Sequence, residues 1–201
     1  MKTKKYDLIV VGGGISGVAA SVCAARLGMS VLLIENGGAL GGAMTRSLVF
    51  PYMRYTANGG RKLLSDGIFT EMRERREKYD DPSWETYRFV FDDMVCEAGV
   101  EVLFHSTVFK LDCTDGRVER VYATSKSGIL PFEADYFIDC TGDGEIFFLA
   151  GCDYQAGRDS DGLSQPMTTC FRLGNVDLPG FLRENGWRYT FRRVVEKLSA
   201  R

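Results

Sequence analysis

Three glycines near the N-terminus have the spacing that brings a protein backbone close to a phosphate. Gly12, Gly14 and Gly17 form the pattern Gly-x-Gly-x-x-Gly directly after an apolar run. The first glycine permits a tight turn, the second lets the main chain approach a pyrophosphate, and the third allows close packing of a helix on a strand. The helix that follows offers unpaired N–H groups to negative charge. The motif therefore predicts a dinucleotide pyrophosphate site.

An acidic residue follows at the distance that such sites use for a ribose. Glu35 stands at the end of a second apolar run, Ser30 to Glu35. A carboxylate at that point accepts hydrogen bonds from ribose hydroxyls. It also argues against NADP, because a 2′-phosphate would be repelled.

Two further features favour FAD over NAD. A second glycine loop contains Gly41 and Gly42 and is soon followed by Thr45, so it can lie against an extended cofactor beyond the adenosine half. Residues 105–134 show the alternation and the turns of an antiparallel β-meander. A nucleotide dehydrogenase would usually have another βαβ helix there.

The elements that position these motifs begin with one βαβ unit. Tyr6–Val11 is a β-branched apolar run typical of a strand buried on both faces. Ile15–Leu27 has helical spacing, and Gly28 stands where a glycine ends a helix. Ser30–Glu35 predicts the second strand, and the connections are short.

The remaining pattern predicts an α/β fold, with a parallel sheet and a meander crossover. An amphipathic helix is expected over residues 59–78, its charged end forming a solvated face. Further expected elements are a helix from about Ser83 to Ala98 ended by Gly99, strands at Val100–Phe104, His105–Asp112, Val118–Ser125, Leu130–Ala134 and Tyr136–Cys140, a helix to Ala150, a loop over 151–166, a strand at Met167–Leu173 and a helix over 178–201.

Composition narrows the function classes. The chain has 201 residues, of which 45% are hydrophobic and 26% charged, and its net charge is −2. Without a basic stripe, nucleic-acid binding is not expected. The six cysteines include no C-x-x-C pair and no zinc spacing, so we expect no metal site and a reducing compartment. No run is long enough for a signal segment or a membrane span, which predicts a cytoplasmic protein.

The combined motifs resemble the FAD-dependent oxidoreductase family, within the glutathione-reductase-like and fumarate-reductase-flavoprotein-like group. The resemblance runs from Tyr6 to about Leu182 and rests on Asp7–Gly17, Glu35 with the second glycine loop, Glu97–Val102 and Cys140–Gly144. It implies an FAD-binding Rossmann-like domain over residues 1–155 and part of a cap or substrate region over 156–201. It implies cofactor contacts by Gly12, Gly14, Ile15, Ser16, Gly17, Glu35, Asn36, Gly41, Gly42, Met44, Thr45, Val108, Thr141, Gly142 and Asp143.

The resemblance implies flavin-mediated two-electron transfer on a small molecule, and it names no catalytic acid or base. Family members are usually longer, which predicts a missing C-terminal segment or an oligomer partner. Two alternatives stay open at this point. One is a non-catalytic nucleotide-binding fragment, and the other is an NAD-using protein of the thiazole-synthase-like kind.

Overall fold

The computed structural model describes residues 4–49, 55–60, 62–80, 83, 85–177, 179–180 and 183. The chain divides into two compact units, Met1–Thr169 and Cys170–Arg201. All the helices and strands named below lie in the first unit. The boundary that the sequence suggested near residue 155 stays a prediction, and the helix expected over 178–201 lies almost wholly outside the described residues.

The first unit contains five α-helices and eight strands among its described residues. In chain order they are β1 (Lys4–Val11), α1 (Ile15–Arg26), β2 (Val31–Ile34), α2 (Ala43–Arg46), β3 (Thr56–Ala57), β4 (Lys62–Leu63), α3 (Ile68–Glu77), α4 (Thr86–Ala98), β5 (Glu101–Leu103), β6 (Thr107–Thr114), β7 (Arg117–Ser125), β8 (Gly128–Asp139) and α5 (Glu145–Leu149).

A six-stranded sheet has the strand order β5-β2-β1-β8-β7-β6. The pairs β5/β2, β2/β1 and β1/β8 are parallel, whereas β8/β7 and β7/β6 are antiparallel. The antiparallel strands form the meander that leads from β5 back to the centre of the sheet. This arrangement confirms the predicted α/β class with a parallel sheet and a meander crossover.

The two central parallel strands, β2 and the second half of β1, are buried on both faces because each face of the sheet has its own core. Every side chain of β2 is buried, as are those from Leu8 to Val11 in β1. One core joins the sheet to α1, α3 and α4 through residues such as Val18, Met72 and Phe91. The core on the other face includes residues of the meander and of α5. Continuous apolar strands are the pattern expected of a sheet covered on both sides.

The predicted helix over residues 59–78 was wrong in its first half. Helix α3 begins only at Ile68, after the short strands β3 and β4. Gly59, Gly60 and Gly67 all have positive φ angles, of 66°, 90° and 66°, which a right-handed helix cannot include. Hydrophobic spacing alone would continue the helix through these glycines and place Leu63 on its apolar face, but Leu63 is exposed.

The charged end of α3 contains two of the ion pairs expected at i,i+4 spacing, and it also contacts the neighbouring helices. Glu71 receives two hydrogen bonds from Arg26 of α1 and one from Arg75 of its own helix. Arg75 in turn donates two hydrogen bonds to Glu97 of α4. The Arg26 guanidinium, followed by that of Arg75, outweighs the effect of partial burial and lowers the pKa of Glu71 to about 2. The run therefore joins three helices.

Two strand predictions also need correction. The segments Leu130–Ala134 and Tyr136–Cys140 are not separate, because β8 is one strand of 12 residues that pairs with β1 from Phe132 to Asp139. No residue acts as a turn between them, so the meander runs directly into the parallel sheet. The strand expected at Met167–Leu173 is not formed; these residues are described and have no regular structure.

Candidate nucleotide-binding site

A cavity of about 710 Å³ lies where the parallel strands end. Main chain and side chains from five places form its wall: the ends of β1 and β2, the start of α1, the second glycine loop with α2, the start of β6, and the segment after β8. The lining residues are Val11, Gly12, Gly14, Ile15, Ser16, Ile34, Glu35, Asn36, Gly41, Gly42, Ala43, Met44, Arg46, Ser47, Ser106, Thr107, Val108, Cys140, Thr141, Gly142, Glu145 and Ile146.

Five glycines, Gly12, Gly14, Gly17, Gly41 and Gly42, form what we call the glycine cradle. A Cβ atom on Gly17 would lie 1.8 Å from the carbonyl oxygen of Gly12, so α1 packs against the turn at a distance that only glycine allows. Gly12 itself has a φ of 98°. A Cβ on Gly14, by contrast, would meet nothing within 4 Å. Because Gly14 has no side chain, its backbone is directly accessible from the cavity.

The second glycine loop is fastened to the first through main-chain contacts. The N–H of Gly41 donates to the carbonyl of Gly13 at 2.8 Å, and Gly14 and Gly41 form an isolated parallel bridge. Gly42 has a φ of 52°, and a Cβ there would stand 2.9 Å from the Cα of Gly14. The two loops thus form one wall, which neither the spacing nor the types of the glycines had indicated.

Helix α1 opens towards the cavity without a side-chain cap among the described residues. Gly14 is its N-cap and makes no side-chain hydrogen bond. The first bond within the helix runs from the N–H of Val18 to the carbonyl of Gly14, at 2.9 Å. The N–H groups of Ile15, Ser16 and Gly17 come before that bond, so they precede the intrahelical ladder. Such an end favours an anion.

Glu35, Asn36 and Arg46 form a second group of lining residues, which we call the acid corner. The Glu35 side chain is only 5% exposed. Its Oε2 accepts the N–H of Gly13 at 2.7 Å, and its Oε1 accepts the N–H of Gly37 at 2.6 Å. Arg46 adds a third contact at 3.0 Å to Oε1. These donors satisfy most of a buried charge and hold the carboxylate in one orientation.

At the opposite end, Asp139 organises the turn into α5. Its Oδ1 accepts both the N–H and the hydroxyl of Thr141, at 2.9 and 2.6 Å, and its Oδ2 accepts the N–H groups of Ile146 and Phe147. Burial, the largest single influence, opposes the charge, but these four hydrogen bonds together lower the pKa of Asp139. The carboxylate therefore caps α5 from outside the helix.

Cys140 lies between that turn and the glycine cradle. It lines the cavity and packs against the helix-side core. Burial, followed by the nearby charge of Asp139, raises the pKa of its thiol. The thiol therefore stays protonated at neutral pH, and it is one of six cysteines that are all unpaired.

Most residues that the resemblance assigned to the cofactor lie on the cavity wall, with Gly17, Thr45 and Asp143 as the exceptions. Gly17 is the one member of the cradle that is buried behind the wall. Thr45 is also buried, and its hydroxyl donates to the carbonyl of Leu40 at 2.5 Å, so it shapes the second loop from behind. Asp143 is exposed in the turn before α5. The contact roles of all these residues stay predictions.

Sequence reasoning missed several lining residues. Ser106 and Thr107 precede Val108 at the start of β6, and they reach the wall because Ser106 N–H bonds to the carbonyl of Glu35 at 3.0 Å. Glu145 and Ile146 reach it through the cap formed by Asp139. These contacts join segments far apart in the chain, so no local pattern marks them.

The model of one protein family, described as FAD dependent oxidoreductase, matches residues 7–200. The chain belongs to that family. The cofactor that the sequence predicted, FAD, is confirmed by this membership, and the predicted resemblance is confirmed with it.

The chain is also similar to curated proteins that carry different names. Thiamine thiazole synthase of Methanococcus aeolicus is 29% identical over 164 residues, 71% of this chain and 57% of that protein. Protein FixC of Rhizobium meliloti is 31% identical over 56% of this chain and 31% of its own length. Glutathione reductase of Debaryomyces hansenii is 29% identical over 73% of this chain. The chain spans between 29% and 57% of these three relatives.

Solved structures support the fold. THI4 of Thermovibrio ammonificans has a TM-score of 0.55 at 19% identity, covering 76% of this chain and 66% of that one. The myxobacterial chondrochloren halogenase CndH, described as a new variant of FAD-dependent halogenases, has a TM-score of 0.52 at 19% identity, covering 70% and 38%. Within the described part of the chain, no helix has both the length and the apolar character needed to traverse a bilayer.

Proposed function

We propose that this chain is the FAD-binding part of an oxidoreductase that acts on a small molecule. The observation that carries the proposal is that four of the five cradle glycines and all three residues of the acid corner line one cavity. The cradle supports binding of a pyrophosphate, since bare backbone at Gly14 lies beside the uncapped start of α1. The corner supports binding of a ribose, because Glu35 is a fixed acceptor.

The residues present fit a dinucleotide in size and in chemistry. A cavity of about 710 Å³ falls within the range of small-molecule and cofactor sites. Its wall combines apolar side chains such as Ile34 and Val108 with polar groups such as Ser106 and Thr141. In this proposal the cradle, Ile15 and Ser16 contact the phosphates, and the acid corner contacts the ribose. Met44, Thr141 and Gly142 contact the rest of the cofactor.

When bound, FAD supplies hydride and two-electron chemistry of its own. The role of this chain is to hold the cofactor, orient it and shield it from water. Asp139 contributes to that role because it fixes Thr141 and the start of α5. No side chain of the described cavity is assigned as acid or base.

The first test is the visible absorption spectrum of the purified 201-residue chain, followed by identification of the nucleotide released on denaturation. We expect a flavin spectrum and FAD in a ratio near one per chain. A colourless protein that also takes up no added FAD contradicts the proposal. Reduction of a dye acceptor by candidate substrates then tests catalysis separately from cofactor binding.

The similarity to thiamine thiazole synthase favours a second candidate, in which the same cavity binds an NAD-type nucleotide. The glycine cradle and Glu35 would suit either nucleotide, because both carry a pyrophosphate and an adenosine ribose. The released nucleotide decides between them. If NAD or one of its products is released in place of FAD, the FAD proposal fails and the thiazole-synthase-like alternative replaces it.

A further inference from the structure

Arg46 is the cationic member of the acid corner, and one of its nitrogens contacts two neighbours. Its Nη1 lies 3.0 Å from Oε1 of Glu35 and 2.7 Å from Oδ1 of Asn36. The Arg46 side chain is 46% exposed, whereas that of Glu35 is 5% exposed. Both line the cavity, together with Asn36. The guanidinium therefore connects a buried acceptor to an exposed amide at the cavity wall.

With Arg46 bound, the Glu35 carboxylate keeps one hydrogen-bond acceptor site free. A carboxylate has about four acceptor sites, two on each oxygen. Among the described residues, Oε1 is filled by Gly37 N–H and Arg46, while Oε2 accepts only Gly13 N–H. The free acceptor site therefore lies on Oε2.

The hydrogen bond from Arg46 to Asn36 also decides which end of the Asn36 amide stays available. Because the Asn36 oxygen accepts from Arg46, the amide NH₂ is left as the group that can donate to another molecule. An acceptor on Glu35 and a donor on Asn36 thus stand on the same wall. Two adjacent hydroxyls can satisfy such a pair, one donating to the carboxylate and the other accepting from the amide.

Gly37 provides the space that this arrangement needs. A Cβ atom at Gly37 would lie 2.5 Å from Nη1 of Arg46 and 2.9 Å from Oε1 of Glu35. Any larger residue there would push the guanidinium away from the carboxylate. The backbone at Gly37 and the side chain of Arg46 therefore approach Glu35 from the same side.

We propose that Arg46 is a positioning residue that makes the acid corner selective for a vicinal diol, the group that an adenosine ribose carries. It acts by occupying Glu35 Oε1 and Asn36 Oδ1, which leaves one acceptor and one donor for the two hydroxyls. This inference rests on the proposed function, since it assigns the ribose to this corner.

The test measures binding of three probes to the full 201-residue chain by calorimetry: ADP, 2′-deoxy-ADP and 3′-deoxy-ADP. We expect the wild type to prefer ADP over each deoxy form by about tenfold. In Arg46→Met, ADP should bind about tenfold more weakly, and its preference over the deoxy forms should fall below about twofold. Arg46→Lys keeps the charge without the planar fork, so it should recover only part of the preference.

Two results overturn the inference. One is unchanged ADP binding in Arg46→Met, and the other is an equal loss for ADP and both deoxy forms, which would place the effect on the phosphates or the adenine. If Arg46→Met does not fold, Arg46→Lys carries the test, and full preference in that variant also overturns the inference. The matched control is Arg158→Met, which makes the same charge change at an arginine paired with Asp161 away from the cavity wall.

The outcome is separable from that of the proposed function. A wild type that binds neither FAD nor ADP contradicts the proposed function itself. A wild type that binds both, with an Arg46→Met variant that discriminates among the probes equally well, contradicts only the role of Arg46.

Discussion

The glycine cradle and the acid corner share one cavity wall, but they are built in opposite ways. The cradle works through missing side chains, because a Cβ at Gly17 would overlap the Gly12 carbonyl and one at Gly42 would press on Gly14. The corner works through side chains that are present and satisfied, with Glu35 held by two backbone N–H groups and Arg46. A substitution in the cradle should therefore be either tolerated or strongly disruptive, according to whether a Cβ meets backbone, whereas substitutions in the corner should have graded effects.

The largest effect is expected for Gly17→Ala. The added methyl group overlaps backbone and cannot be relieved by a side-chain rotation, so the free energy of unfolding should fall by about 3 kcal/mol or more. Urea denaturation measures this. The control is Gly28→Ser, at a helix end where a Cβ meets nothing within 4 Å, although its φ of 89° still adds some strain. Equal stability of Gly17→Ala and the wild type would mean that close packing does not define the cradle.

Gly14→Ala should separate cofactor binding from stability within the cradle. Its Cβ meets nothing within 4 Å, and the φ of −66° suits alanine, so the free energy of unfolding should change by less than about 0.5 kcal/mol. The methyl group would nevertheless occupy the approach to the α1 N-terminus, so we expect FAD affinity to fall by about tenfold or more. Fluorescence titration with FAD checks this. Unchanged affinity would place the pyrophosphate elsewhere.

Glu35→Gln tests the graded behaviour of the corner. One side of the new amide must turn an NH₂ group towards the N–H donors of Gly13 or Gly37, which leaves a buried mismatch. The free energy of unfolding should fall by about 1 to 3 kcal/mol, and FAD should bind about tenfold more weakly. Thermal melting with and without FAD separates the two effects. A variant as stable as the wild type would show that the hydrogen bonds from Gly13, Gly37 and Arg46 do not need the negative charge of Glu35.

Asp139→Asn should have a smaller effect than Glu35→Gln, because Asp139 is only half-buried. Its folded-state pKa is lowered, so its contribution to stability is present above the ordinary carboxyl value and is lost as pH falls through the folded pKa. At pH 7 we expect a loss of about 1 kcal/mol that shrinks in acid. Urea melts at several pH values measure it, with the exposed Asp135→Asn as control. A loss independent of pH would refute the charge-based cap.

The smallest effect is expected outside the cavity, at Glu71. Its pKa of about 2 lies below the ordinary 4.5, so the stabilisation is complete above that ordinary value and disappears as pH falls towards 2. Glu71→Gln should lower the free energy of unfolding by about 0.5 kcal/mol at pH 7 and by almost nothing near pH 2, with FAD binding unchanged. Glu77→Gln, in a longer and more exposed ion pair, is the control. A change in FAD affinity would show coupling between the helix layer and the cavity.

The sequence predicted those parts of the fold that depend on local pattern. The βαβ unit from Lys4 to Ile34 was predicted because continuous apolar strands and a periodic helix are local signals. The start of α3 was misplaced because hydrophobic spacing was weighed above three glycines with positive φ. The join within β8 was missed because nothing local distinguishes one long strand from two short ones.

In the candidate site, too, the residues in a local motif could be predicted, whereas contacts between distant segments could not. Gly12 and Gly14 were identified because their spacing follows from turn geometry, and the structure places both on the cavity wall. The partners of Glu35 could not be read, since Gly13, Gly37 and Arg46 meet it only after the chain folds. Asp139 was overlooked for the same reason, because it caps a helix that begins six residues later.

The position of β1 in the middle of the sheet also sets the order in which this protein can assemble on the ribosome. Its partner on one side is β8, with Val11 opposite Asp139, so that edge stays unpaired until β8 has been synthesised. At ordinary elongation rates the interval between the two strands is roughly 6 to 26 s. Thr141 and Ile146 emerge later still, and both belong to the cavity wall. The cavity wall can therefore be completed only after an interval in which one edge of the central strand is unpaired, and an unpaired strand edge can pair with another chain.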